Sequence, residues 1–334
     1  MGAKLTLADE GMHTVGEAKN WNESTYVDLF DPVLRVGAWF RLGNRPNERY
    51  SEMSACVNLP DGRDTFFFER ATIDRNAFDA GGQSWTFEEP FATTRVRYDG
   101  EVLVLPNAWA LVNPKDAFTR ADRAECHVDL TLHAQGLGSV MGSDQDHIDM
   151  IFLPGQADFH YQHLVRSVGS IQVGDDRWEV NGLGGKDHSW GPRNWHAKIY
   201  LRWLIAMVDD DFGFMLVRGV GPTKQTRSGF VWDRGEFHLV DDFEMRNTYA
   251  DAPNYELLRA EVGIHSGPRV WTAVATPGSW VPLRHRQPGA DGHMKTLRIV
   301  KSQCDWAFGD GRTGAGMCEY HDLMEAGVPV GLND

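Results

Sequence analysis

The sequence predicts an all-β protein built from two consecutive antiparallel halves, each a β-barrel or sandwich. Three observations predict it. Short segments of alternating apolar and polar residues recur along the chain, separated by Gly, Pro, Asn and Asp. Long stretches with helical periodicity are scarce. The least periodic region, Gly136 to Gln156, falls near the middle and is rich in Gly and Asp. A strand turns successive side chains to opposite faces, so alternation is its signature, and evenly spaced strands with turn signals point to sandwich or barrel. The expected division is an N-terminal half over residues 1–150 and a C-terminal half over 151–334.

The first half carries strand patterns at Val33 to Arg41, Ser51 to Leu59, Asp64 to Arg70, Arg95 to Tyr98 and Glu101 to Leu105. Asp61-Gly62 and Asp99-Gly100 sit between such runs and are expected as hairpin turns, because Gly supplies the positive φ that tight turns require. From Glu125 to His133 the chain alternates strictly, with Cys126, Val128, Leu130 and Leu132 on one face. The second half repeats the style. Trp195, Ala197, Ile199, Leu201, Trp203, Ile205 and Met207 share one parity, and His196, Lys198, Tyr200 and Arg202 the other. Further strands are expected at Phe212 to Val220, Gly229 to Asp233, Glu236 to Val240, Tyr255 to Val262, Val270 to Ala275 and Leu297 to Gln303.

Composition narrows the function classes. A formal net charge of -14 argues against nucleic acid or an anionic membrane as partner, since both demand a basic face. No apolar run approaches the length of a membrane span. The four cysteines are scattered without a CxxC pair and no signal peptide is evident, so reduced thiols in a soluble, cytoplasmic protein are expected. Twelve Trp and 17 Phe suit either a β-rich core or an aromatic-walled cavity. The assembly is left open, with a homodimer among the outcomes.

Familiar catalytic motifs are absent or lack context. Gly309-Asp310-Gly311-Arg312-Thr313-Gly314 matches GxGxxG, yet no amphipathic helix follows to receive a pyrophosphate. His160, His163, His188 and His196 raise the question of a metal, but residues three apart on a strand point oppositely, so His160 and His163 would not chelate together. No metal ligand set is assigned, and no cofactor is expected.

The densest chemistry lies in Gly182-Leu183-Gly184-Gly185-Lys186-Asp187-His188-Ser189-Trp190-Gly191-Pro192-Arg193-Asn194-Trp195, which is expected to form an ordered loop. The structural reading has Asp187 capping loop amides and His188 satisfying a carbonyl. The functional reading has burial among Trp190 and Trp195 raising the pKa of Asp187 so that it serves as a general acid. An ion pair with Arg193 would favour the structural reading.

That string, together with Trp21-Asn22-Glu23-Ser24, Gly100, Gly169-Ser170-Ile171-Gln172-Val173-Gly174 and Gly314-Ala315-Gly316-Met317-Cys318-Glu319-Tyr320, resembles a bacterial family of tandem lipocalin-like proteins related to the carotenoid 1,2-hydratases (hydroxyneurosporene synthases). The resemblance spans roughly Trp21 to Tyr320, and Asp-His-Ser-Trp-Gly-Pro-Arg is its most specific part. Where the family pattern has Arg before Asp-His, this chain has Lys186. The resemblance implies two lipocalin-like barrels, a cavity for a hydrophobic ligand, and chemistry by alkene protonation in part of the wider group.

The leading expectation is therefore a cofactor-independent lyase or hydratase acting on a hydrophobic small molecule such as a terpenoid, a steroid or a lignin-derived aromatic dimer. Asp187 is the expected acid or base, with His188 orienting it. Tyr200, Glu319 and Tyr320 are further catalytic candidates. Trp190, Arg193, Trp195, Trp203, Trp39 and Trp109 are expected to line the cavity. A non-catalytic carrier or sensor of an apolar ligand is the alternative, and a metal-dependent enzyme the third.

Overall fold

The computed structural model describes residues 4–142, 145–289 and 292–333. Its strands form two antiparallel sheets. The first holds β1 (Trp21–Asp31), β2 (Val36–Arg45), β3 (Tyr50–Asn58), β4 (Asp64–Thr72), β5 (Asp79–Ala80), β6 (Gln83–Glu89), β7 (Thr93–Leu105), β8 (Asp122–His133), β9 (Phe159–Val173) and β10 (Asp176–Pro192). Its order is β4-β3-β2-β1-β10-β9-β8-β7-β6-β5, and a β4–β7 pairing closes it into a ring.

The second sheet begins with β11 (Tyr200–Met207), β12 (Phe212–Val220), β13 (Gln225–Asp233), β14 (Glu236–Leu239) and β15 (Asp242–Tyr249). It continues through β16 (Leu257–Ser266), β17 (Arg269–Pro277), β18 (Val281–Pro288), β19 (Met294–Phe308) and β20 (Thr313–Glu325). The order β14-β13-β12-β11-β20-β19-β17-β16-β15 makes a half-barrel, with β18 beside β19. The two halves are the expected lipocalin-like pair.

Several local readings need correction. The sheets part between Pro192 and Tyr200, not near residue 150, because β9 and β10 complete the first ring. Asp99-Gly100 is no turn: Asp99 pairs with His127 and Gly100 with Cys126 inside the continuous β7. Asp61-Gly62 does turn, with Gly62 at φ +88°. The expected strand from Trp195 starts only at Tyr200. After Gly309 to Gly314 comes β20, not a helix, which removes the dinucleotide motif's context.

The largest correction concerns Gly182 to Pro192, which is the second half of β10 rather than a loop. Its glycines permit close approach instead of turning. A Cβ on Gly184 would overlap the Asp28 carbonyl oxygen of the neighbouring strand, and one on Gly185 would overlap the Met215 methyl of the opposite sheet.

Three of the four hydrophobic cores among the described residues follow from the alternation. Val27, Leu29, Phe40, Val96 and Leu130 fill the first ring. Phe214, Val262, Trp306 and Cys318 fill the second. Between the sheets, Tyr26, Trp39, Leu183, Trp203, Ile205 and Met317 form a third core where β1 and β10 pack on β11 and β20. Each buried aliphatic or aromatic side chain there is worth roughly 1.5–3 kcal/mol of transfer free energy. The four cysteines are buried and unpaired.

Candidate active site

The third core is not filled throughout. It opens into a cavity of about 400 Å³, lined from both sheets. Alternation decides what each strand shows it. On β10, Asp187 and Ser189 turn one way while Lys186, His188 and Trp190 turn the other. In register, Asp187 lies between Tyr26 of β1 and Gln162 of β9, and all three line the cavity. His160, two residues along β9, brings its Nε2 to 3.6 Å from the Asp187 carboxylate.

The second sheet answers with a matching group. Glu319 of β20 lies between Trp203 of β11 and Lys301 of β19. It accepts a hydrogen bond from the Lys301 ammonium and is 2.5 Å from His321 Nε2. Burial alone would raise the Glu319 carboxyl, but the Lys301 charge and the His321 bond hold it well below the usual range. Burial and the Lys198 cation push His321 down to about 3. A neutral imidazole that donates from Nε2 to Glu319 keeps a lone pair on Nδ1, which has no partner among the described residues.

Tyr26 bridges the two groups. Its hydroxyl donates to Met317 Sδ at 3.1 Å, and the Lys301 ammonium stands 4.2 Å from its ring centre. Trp203 packs 5.5 Å from the same ring, so indole, phenol and ammonium form one wall. At the other end Trp195 stacks on His285 at 4.1 Å. Trp39 completes the expected tryptophans that reach the cavity.

Of the expected site residues, Asp187, Glu319, Arg193, Trp195, Trp203 and Trp39 converge on this cavity, and the others do not. His188 cannot orient Asp187, because neighbours on a strand face opposite ways. It points into the first ring, where Nε2 is 3.1 Å from Glu23 and Nδ1 3.3 Å from the Tyr161 hydroxyl. Trp190 lies on that inner face too, stacked on His13 at 3.7 Å. The expected desolvation of Asp187 by Trp190 therefore has no geometric basis.

Tyr320 packs inside the second sheet and donates to Asn247 at 2.7 Å. Tyr200 shares that parity; its hydroxyl accepts from Arg218 at 3.2 Å. Trp109 sits in a short 3-10 turn under the Arg298 guanidinium, and only its neighbour Leu111 reaches the cavity. Arg193 forms no ion pair with Asp187 among the described residues; it donates to Ser189 Oγ at 2.7 Å.

Behind the Asp187 face, the inside of the first ring is closed by the N-terminal segment. Glu10, in a 3-10 turn over Leu7–Glu10, reaches Lys186 at 2.7 Å, and Lys186 also donates to Tyr161 at 2.9 Å. Glu23 holds His13 Nδ1 at 2.7 Å and accepts from Asn76 at 2.8 Å. His13, Glu23 and His188 offer ligand atoms within 4.8 Å of one another, the one such trio among the described residues. It lies on the face away from the cavity, and each member already has a hydrogen-bond partner in the network.

Lys301, His321, His160, Lys198 and Tyr26 were missed from sequence. His160 carried a signal, since parity separates it from His163, as the structure bears out: His160 faces the cavity and His163 the ring interior. The others depend on register between distant strands, which no local pattern encodes.

Comparison with known proteins adds a frame. Residues 6–324 match the family described as "Domain of unknown function (DUF7064)". No sequence among the curated proteins matches the chain. AttH of Nitrosomonas europaea has a similar structure, with a TM-score of 0.60 at 14% identity over 96% of this chain and 97% of that one. CghA with bound Sch210972 gives 0.53 at 12%, covering 95% of each chain. Kievitone hydratase of Nectria haematococca gives 0.52 at 9%, covering 95% of this chain and 97% of its own. At such identities the likeness is one of fold.

Proposed function

We propose that this chain, which belongs to the DUF7064 family by its match over residues 6–324, is a lyase or hydratase that works by acid–base chemistry on an apolar small molecule. One observation carries the reading. Two carboxylate–imidazole pairs, Asp187–His160 and Glu319–His321, project from different sheets into one tryptophan-walled cavity.

Adding water to a double bond, or removing it, needs a proton delivered at one atom and another withdrawn nearby. Two opposed acid–base pairs meet that requirement, and a carrier has no use for them. Asp187 with His160 moves the proton to or from carbon. His321, oriented by Glu319, takes the proton of the attacking water through Nδ1, or returns it when water leaves. The anionic Glu319 and the π faces of Trp203 and Tyr26 shelter a developing cation. General acid–base groups of this kind contribute about 10²–10⁴-fold.

The reaction uses only the chain's own side chains. About 400 Å³ lies at the small end of ligand pockets, which run about 300–1,000 Å³. That size favours a terpenoid, a steroid or a lignin-derived aromatic dimer over a long carotenoid. That kievitone hydratase and CghA share the fold supports the reading. The test is a panel of isoprenoids, steroids and phenolic dimers followed by tryptophan quenching and product mass. Quenching with a mass change of one water or a small carbonyl fragment is expected. Saturable quenching with every ligand recovered unchanged would make the protein a carrier.

A further inference from the structure

The cavity is chemically lopsided. The chain as a whole carries a net charge of -14, yet its lining holds seven Lys and Arg side chains against three carboxylates, Glu52, Asp187 and Glu319. Each of those carboxylates is already engaged. Glu52 lies 3.4 Å from Arg41 and 3.6 Å from Arg45, Asp187 pairs with His160, and Glu319 with Lys301 and His321.

The surplus gathers around one indole. The Arg41 and Arg193 guanidinium carbons stand 5.1 and 5.2 Å from the Trp195 ring, and Lys198 Nζ stands 5.4 Å from it. Lys198 is 5% exposed and has no carboxylate within ion-pair distance among the described residues. Among the described residues, the Arg193 side chain hydrogen-bonds the neutral Ser189 hydroxyl alone. The Trp195 Nε1 donor is buried without an acceptor among the described residues. A buried cation without a partner is costly, and so is a buried donor without an acceptor. The strain registers in the groups themselves: burial and the Arg193 charge push Lys198 down to about 7, and burial with the Arg41 charge pushes Arg193 down to about 10.

We infer that Arg193, Lys198 and the Trp195 indole N–H form an anion subsite that binds the carboxylate of an otherwise apolar substrate. The inference rests on the acid–base reading of the cavity and sharpens it. The substrate is an amphiphile, its carboxylate fixed at the Trp195 end. Its reacting carbons extend past Trp203 and Tyr26 toward the two carboxylate–imidazole pairs. The cations then position rather than catalyse.

The experiment compares 2-naphthoate with its neutral isostere 2-naphthamide, titrated into the full chain by calorimetry at low ionic strength. The wild-type protein is expected to bind the carboxylate at least about tenfold tighter, the scale of a charge-assisted pair. Lys198→Met and Arg193→Gln should each cut that preference to below about threefold, while their thermal melts stay near wild type. Lys198→Met removes a buried charge without leaving a partner stranded, so the variant is expected to fold. Equal binding of the two probes, no saturable naphthoate binding, or a preference untouched by both substitutions overturns the subsite. Turnover is not read, so the two proposals separate. Selective naphthoate binding by a protein that transforms nothing in the panel would overturn the acid–base reading alone.

Discussion

The two faces of β10 carry similar residues in different surroundings, one packed inside the first ring and the other open to the cavity. On the inner face, Lys186 and His188 enter a network with Glu10, Glu23, Tyr161, Asn76 and His13, although Glu10 Oε2 and both nitrogens of the nearby His163 have no partner among the described residues. On the cavity face, the Asp187 carboxylate has its ion-pair partner among the described residues at 3.6 Å, and the His321 Nδ1 and the Trp195 N–H have no partner among them. Buried polar atoms without partners stand on both faces, but on the cavity face they border a volume of about 400 Å³. The same Asp-His dipeptide therefore splits, with His188 held in the inner network and Asp187 facing the cavity.

Substitutions can break that contrast. Asp187→Asn should lower turnover by about 10²–10⁴-fold while the thermal midpoint stays close to wild type, since the carboxylate bears little of the packing. Steady-state rates and a calorimetric melt of the same preparation check both halves. The inner face should give the mirror image. Lys186→Met leaves Glu10 buried and unpaired, a loss of about 3–5 kcal/mol in denaturant unfolding, with near-normal turnover in the fraction that remains folded.

Gly184→Ala touches the backbone that both faces share. A Cβ there meets the Asp28 carbonyl, so crowding of about 1–3 kcal/mol is expected, read as a lower urea midpoint. Normal stability in that variant would mean that β1 and β10 pair less closely than described.

A further effect is one of pH, and its sign differs with position. Despite burial, Lys186 holds Glu10 at about 2, against an ordinary 4.5, and the His13 and His188 bonds do the same for Glu23. Their stabilisation is complete above about pH 4.5 and is lost as pH falls toward 2. Asp28, fully buried between the sheets, is raised by burial to about 8 from 3.8. The folded form thus binds the extra proton, and stability declines as pH rises between those values. Asp28→Asn should flatten the decline between about pH 4 and 8 and leave the loss toward pH 2 alone, as urea midpoints between about pH 2 and 9 would reveal.

Much of this fold was legible because half-buried strands alternate. Glu125 to His133 and Phe212 to Val220 fall within β8 and coincide with β12, respectively. The reading failed where glycine had a different purpose. Gly184 and Gly185 admit neighbouring backbone and side chains, yet in a linear sequence they resemble a turn, and so does Asp99-Gly100 inside β7. Calling residues 182–195 a loop also hid the parity that sends Asp187 and His188 apart. Tyr26 facing Asp187, and Lys301 facing Glu319, are cross-strand relations fixed by register over spans too long for local periodicity. The tryptophans were legible as a cavity wall only in part, because Trp39, Trp195 and Trp203 differ from Trp190 and Trp109 in facing, not in type.

The most direct test of proton transfer in the cavity is solvent deuterium exchange. A ligand that saturates the tryptophan quenching is incubated with the protein in deuterium oxide, and its mass is followed with time. The wild-type chain should place deuterium on ligand carbon at a rate that Asp187→Asn abolishes. Full occupancy with no deuterium entering would contradict the account and leave a binding protein.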